Sequence, residues 1–359
     1  MKRYDYIDLA KGIGIFLVVL GHASLKNDYV TSYIYSFHMP LFFVIAGMLL
    51  CATKSYVGAI KPVLIGKLRT LMLPYLFFSI IYTAIDLIRH DLYAKTNAIF
   101  SVCLQGSGPL WFLPTLFLSE IIFILLLKYA GKIKGIIAAL IIGSAAFYIN
   151  SLFYFDTDVI IRIKDANLPL ICLRLVSVRS MCCLVFLCAG FGLMALMPYI
   201  KSNCISVISG TLLLLIPAIP VFISYRNGAE PYISNMTYME FNSSVAIYIL
   251  CALCGSAGLL MLCKGLEGFF SLRFIAPVGK LLRFWGKNSL LIMVTHLNCQ
   301  ILFLGNLFAA FMNQYITHAR DYIFLFNVMA VCMLTESLLI LPVNRFIPWI
   351  LGKKKAQSQ

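Results

Sequence analysis

The chain has 359 residues, of which 61% are hydrophobic and only 12% charged, with a formal net charge of +15. Soluble domains carry roughly 45–50% apolar and about 25% charged residues, so these proportions exclude a soluble globular domain and point to a polytopic membrane protein. The basic excess is divided among short loops between apolar runs, which fits membrane orientation and excludes a nucleic-acid-binding surface.

A spanning helix needs about 20 mostly apolar residues. Ten candidate runs follow in chain order, at 7–25, 33–52, 71–88, 109–127, 135–154, 180–198, 204–224, 244–263, 288–309 and 322–342. With the N-terminus placed in the cytoplasm, about two-thirds of the 29 Lys and Arg fall in inner segments. Losing or gaining one span midway would invert the later loops and erase that bias. The expectation is an all-α fold of ten spans with both termini cytoplasmic, one membrane domain over 1–345 and a short basic tail over 346–359. The first run is followed at once by another, so it reads as a retained helix and not as a cleaved leader. The twelve Cys lie mostly inside apolar runs and read as small buried hydrophobes. Cys251 and Cys254 form a CxxC with no second ligand pair nearby, so no metal site is expected.

Ionisable residues inside these runs are costly in lipid and mark candidate sites. The first run carries Asp8 and Lys11 near its start and His22 near its end. Lys11 and His22 lie eleven residues apart, close to three helical turns, so they share a face about 16 Å long. The second run returns with His38 near its start, at a depth similar to that of His22, and Pro40 can kink it there. Lys11 also reads as a snorkelling anchor, and Asp8 as a helix cap or an i, i+3 partner of Lys11. His38 also reads as a hydrogen-bonding partner of a neighbouring helix. Trp111 opens the fourth run and Glu120 follows near mid-bilayer; Trp111 fits an interfacial belt equally well. The ninth run opens with Asn288 and Ser289, which also suit capping, and carries His296 about 12 Å from the inner edge, below His22. Glu336 lies in the tenth.

Five segments carry a more specific signal: IDLAKGIGIFLVVLGH at 7–22, SFHMPLFFVIAG at 36–47, KLRTLMLPYLFFS at 67–79, GPLWFLPTLF at 108–117 and GKNSLLIMVTH at 286–296. Together, and in this order, they resemble acyltransferase family 3, the ten-helix membrane O-acyltransferases of bacteria. The family's first-helix signature is Arg, ten residues, then His; here Lys11 stands at the Arg position, keeping the charge but not the planar fork. The resemblance implies that His22 is catalytic and Lys11 lies on the acyl-donor path, with acetyl-CoA as co-substrate, a sugar or lipid-linked glycan hydroxyl as acceptor, and no tightly bound cofactor. It also implies a place in the inner (plasma) membrane.

On that reading His22 is a general base, or forms an acyl-His intermediate, and His38 orients the acceptor or stabilises the oxyanion. Lys11 and Arg69 attract the CoA phosphates. Asp8, Trp111, Glu120, Asn288, Ser289 and His296 form the supporting, acceptor-side group. The rival class is a transporter or flippase using the same His residues as a proton relay; no inverted repeat accompanies them.

Overall fold

The computed structural model describes residues 3–23, 28–89, 94–152, 168–229, 234–241, 244–297, 299, 301–314 and 321–353. Tail residues 354–359, and the ends of the expected spans at 24–25 and 153–154, lie outside the described residues.

Long apolar runs with few breakers leave the backbone one way to satisfy its polar groups in lipid, which is the helix. Among the described residues, nine helical stretches are long and apolar enough to cross a membrane: Asp5–Ala23, Tyr29–Thr53, Ile60–Ile88, Gly108–Tyr129, Lys132–Leu152, Leu168–Tyr199, Asn203–Arg226, Val245–Gly265 and Ile323–Phe346. The protein is an all-α polytopic membrane protein. Large apolar side chains such as Ile80 and Phe326 stay 70% exposed on its outside, where lipid replaces water as their solvent.

The expected ninth span, 288–309, is not one helix. It divides into α14 (Ser289–Thr295) and α15 (Ile301–Met312). His296 stands at the break, its carbonyl accepting from Leu302 N at 2.9 Å. The second span is also interrupted, between α2 (Asp28–Tyr35) and α3 (His38–Thr53). Pro40 falls in the first turn of α3, where its missing N–H leaves no bond unmade.

The inner layer is built from α1 (Asp5–Ala23), α3, α9 (Leu168–Leu196) and α12 (Val245–Gly265), which pack on one another. α9 begins twelve residues before the expected 180, because Arg174 and Arg179 made its first turns read as an outer loop. Beside it, α7 (Phe112–Tyr129) and α8 (Lys132–Leu152) form a second row. α13 (Ala276–Lys287) lies against α1, and α16 (Asp321–Phe346) against α15. Outside the helices, β1 (Ser234–Asn235) and β2 (Glu240–Phe241) form an antiparallel hairpin between the seventh and eighth long stretches. After α16 a short 3-10 turn, Pro348–Leu351, folds back and buries Pro348, Ile350 and Leu351.

Candidate active site

Three of the five histidines converge. His22 closes α1, His38 opens α3 and His296 follows α14. The rings of His22 and His296 are 5.3 Å apart. Tyr35, at the end of α2, has its ring 4.8 Å from that of His38, and its hydroxyl lies 3.3 Å from His22 Nδ1. His38 Nδ1 lies 2.8 Å from the Ile34 carbonyl, and His296 Nδ1 lies 2.8 Å from the Ile292 carbonyl. A carbonyl only accepts, so both Nδ1 atoms carry the proton. In the neutral rings Nε2 then holds the lone pair. In His38 the ring bond also replaces the backbone bond that Ile34 would accept in an unbroken helix.

The meeting of His22 and His296 corrects their expected difference in depth. Gly12 of α1 and Gly286 of α13 mark a close crossing: a side chain on Gly286 would collide with the Asp8 carbonyl, and one on Gly12 with the Leu282 carbonyl. Ten residues separate Gly12 from His22, and ten separate Gly286 from His296. Along the unbroken α1, His22 stands about 15 Å from Gly12; Gly286 and His296 lie on different helices, broken at Asn288, and α14 packs against α1, which brings the His296 ring beside that of His22.

His22, His38, Tyr35 and Trp111 line a cavity of about 270 Å³. Its outer wall is the hairpin segment Ser234–Tyr238. A second cavity of about 510 Å³ is lined by Lys11, Lys67, Lys287 and Lys353, with Glu120, Asn288, Ser289 and an apolar wall that includes Phe42 and Leu291. Met293 lines both cavities. Lys67 Nζ donates to Glu120 Oε1 at 2.6 Å, with the Glu120 side chain 3% exposed. Lys353 donates to Asn344 Oδ1 at 2.7 Å and to Asn288 Oδ1 at 3.3 Å, while Asn344 Nδ2 donates to Asn288 Oδ1 at 2.9 Å. Burial pushes the Lys353 ammonium below the usual lysine value. Cations line one cavity and imidazoles the other, so the first can hold an anionic group and the second presents basic nitrogens.

The expected site residues fall into two groups. Trp111, 5% exposed, stands with His22 and His38, and His296, fully buried, stands beside His22. Glu120, Asn288 and Ser289, expected beside the acceptor, instead line the lysine cavity with Lys11. Asn288 and Ser289 stand at the start of α14 and Glu120 half-way along α7, and the linear sequence does not reveal that these positions meet beside Lys11. Arg69 sits in the π-helical turn Leu68–Met72, is exposed, and does not line that cavity, although its neighbours Lys67 and Thr70 do. Asp8 pairs with Arg3 at 2.7 Å and not with Lys11.

Sequence reasoning passed over Tyr35, Lys353 and Arg179. Tyr35 sits three residues before His38, a spacing that would have placed it on the same face of an unbroken helix. Lys353 was assigned to a solvated tail. Arg179 lies within α9, fully buried, one residue before the expected run 180–198.

A family model described as an acyltransferase domain matches residues 4–351. Nodulation protein NolL of Mesorhizobium japonicum (strain LMG 29417 / CECT 9101 / MAFF 303099) is 30% identical over 153 residues, which is 38% of this chain and 40% of that protein. The aligned part thus spans well under half of either chain. No solved structure matches. With the model covering nearly the whole chain, and all five sequence segments inside it, the chain belongs to this family, acyltransferase family 3.

Proposed function

We propose that this membrane acyltransferase moves an acetyl group from acetyl-CoA to a hydroxyl of a sugar or cell-surface glycan, in the plasma membrane, with both termini cytoplasmic. The observation that carries this reading is the pair of cavities sharing Met293, one lined by lysines and one by histidines. In the proposal the CoA phosphates meet Lys11, Lys287 and Lys353. The pantetheine arm runs along the apolar wall past Met293, and the thioester arrives at His22. Acetyl-CoA is a co-substrate that enters and leaves in each turnover.

The chemistry needs a base, because a hydroxyl is a weak nucleophile at neutral pH. His22 supplies it when Nδ1–H donates to the Tyr35 oxygen and leaves the Nε2 lone pair free. Nε2 takes the hydroxyl proton as the oxygen attacks the thioester carbonyl. The tetrahedral oxyanion collapses, the C–S bond breaks, and the CoA thiolate recovers the proton from the imidazolium. His38, whose Nε2 only accepts, holds a second, neighbouring hydroxyl of the acceptor, and Tyr35 links the two rings.

The test uses purified protein in nanodiscs with radiolabelled acetyl-CoA and native membrane glycan. Wild type should transfer label, and correctly inserted His22→Ala should lose at least about 99% of that rate, the usual scale for removing a general base. Normal transfer by His22→Ala would overturn the assignment. His38→Ala should weaken acceptor use more than donor use.

A further inference from the structure

Arg179 is the largest fully buried side chain, yet it is ionisable and lies inside a spanning helix. Among the described residues no carboxylate pairs with it. Its guanidinium spreads over three contacts. Nε donates to Thr115 Oγ1 at 2.8 Å, Nη1 donates to the Thr237 carbonyl at 2.6 Å, and the plane carbon stands 4.7 Å from the centre of the Trp111 ring. Thr115 in turn donates to the Trp111 carbonyl at 2.8 Å. One side chain therefore grips Trp111 through its ring and, by way of Thr115, through its backbone. The same side chain holds the tip of the hairpin at Thr237.

Both gripped elements wall the histidine cavity. Trp111 lines one side, and Ser234–Tyr238 forms the outer face. The hairpin is also tied at Met239, whose carbonyl accepts from Asn150 Nδ2 at 2.9 Å, and at Phe241, whose ring meets those of Phe147 and Tyr248. Within the tip, Asn235 Oδ1 accepts from Thr237 N at 3.0 Å, so fixing Thr237 also fixes Asn235. The lysine cavity touches none of these groups. A cation buried this way is costly, and such residues in membrane spans usually serve function.

We infer that Arg179 is a positioning residue for the acceptor: it sets Trp111 and the Ser234–Phe241 hairpin, which together form the wall against which the acceptor's sugar ring rests. The inference rests on the acyl-transfer reading for its substrate, but its geometry stands on Arg179 alone. Only a planar, three-directional donor reaches Thr115, Thr237 and the Trp111 face at once, so lysine is no substitute.

The test begins with Trp285→Phe and Trp349→Phe, which leave Trp111 as the single tryptophan of the three. Adding Arg179→Met should shift Trp111 emission and lower its anisotropy, because the cation leaves the ring face. In native membranes, transfer from acetyl-CoA to endogenous glycan should fall about tenfold or more while the KM for acetyl-CoA stays unchanged, the signature of a lost interaction confined to one substrate. Arg179→Lys should not restore the rate, and Thr115→Val, which keeps the charge, should lower it in the same direction by less. Unchanged Trp111 emission overturns the inference, as does rescue by lysine, a rate that does not fall, or a KM for acetyl-CoA that worsens in step with the rate. A wild-type protein that transfers nothing sinks the acyl-transfer reading instead, and the Trp111 emission still decides the role of Arg179.

Discussion

His38 and His296 use one local device. In each, a ring nitrogen donates to the carbonyl four residues back, which fixes the tautomer and turns Nε2 outward as an acceptor. His22 differs, since its Nδ1 faces a hydroxyl that can give or take a proton, and this freedom suits a group that must cycle. The Lys67–Glu120 pair is another matter of single residues. Lys67→Met strands a buried carboxylate, so it should cost about 3–5 kcal/mol of stability, measured as a lowered thermal transition in detergent; the double change Lys67→Met, Glu120→Gln should recover most of it. Lys353 yields a pH prediction. Burial lowers its pKa from the usual 10.5, so its charge is lost as pH rises sooner than for a solvated lysine. CoA affinity should weaken over that rise, and Lys353→Arg should hold it to higher pH in a titration calorimetry series. At this scale the sequence disclosed the ionisable residues in apolar runs, because polarity in lipid is visible one residue at a time. It hid Arg179 and Lys353, whose roles come from partners far away in the chain: Thr115 and Thr237 for one, Asn288 and Asn344 for the other.

Helices place these residues by register. The crossing at Gly12 and Gly286 brings two backbones into contact, and any side chain there must push them apart. Gly286→Leu should separate α1 from α13, enlarge the gap between the His22 and His296 rings and reduce transfer by about a hundredfold, the scale at which small misplacements act; a cysteine pair at positions near the crossing would report the separation by slower crosslinking. The span pattern was legible because hydrophobic length is a local property, and nine of the expected runs correspond to long helical stretches among the described residues. The interruption after His296 was not legible. No Gly or Pro lies between 289 and 301, and the bend arises where the His296 carbonyl bonds to Leu302 N instead of continuing the regular ladder. The antiparallel meeting of the first two runs did follow from their short connection, and it correctly brought His22 and His38 together.

At the scale of the whole molecule, the lysine cavity and the histidine cavity have one methionine in common. Met293 is flexible enough to pass a narrow thioester arm and bulky enough to separate the chambers otherwise. Met293→Ala should merge them; in proteoliposomes the variant should hydrolyse acetyl-CoA faster relative to glycan transfer, as water reaches the thioester from the second chamber. The family was readable from five short segments, whereas the division into two chambers was not, since it depends on how α1, α3, α7 and α14 close around Met293.

The glycine crossing has one more consequence. His22 stands ten residues along one unbroken helix from the contact between α1 and α13, so its level is a length written in the chain and not in the lipid. A bilayer of different thickness can tilt or stretch the outer helices, but it cannot change that count. The reaction plane should therefore keep its distance from the lysines in thin and thick membranes alike. The ratio of acyl transfer to donor binding should stay nearly flat across phosphatidylcholines from short to long acyl chains, even where overall stability varies.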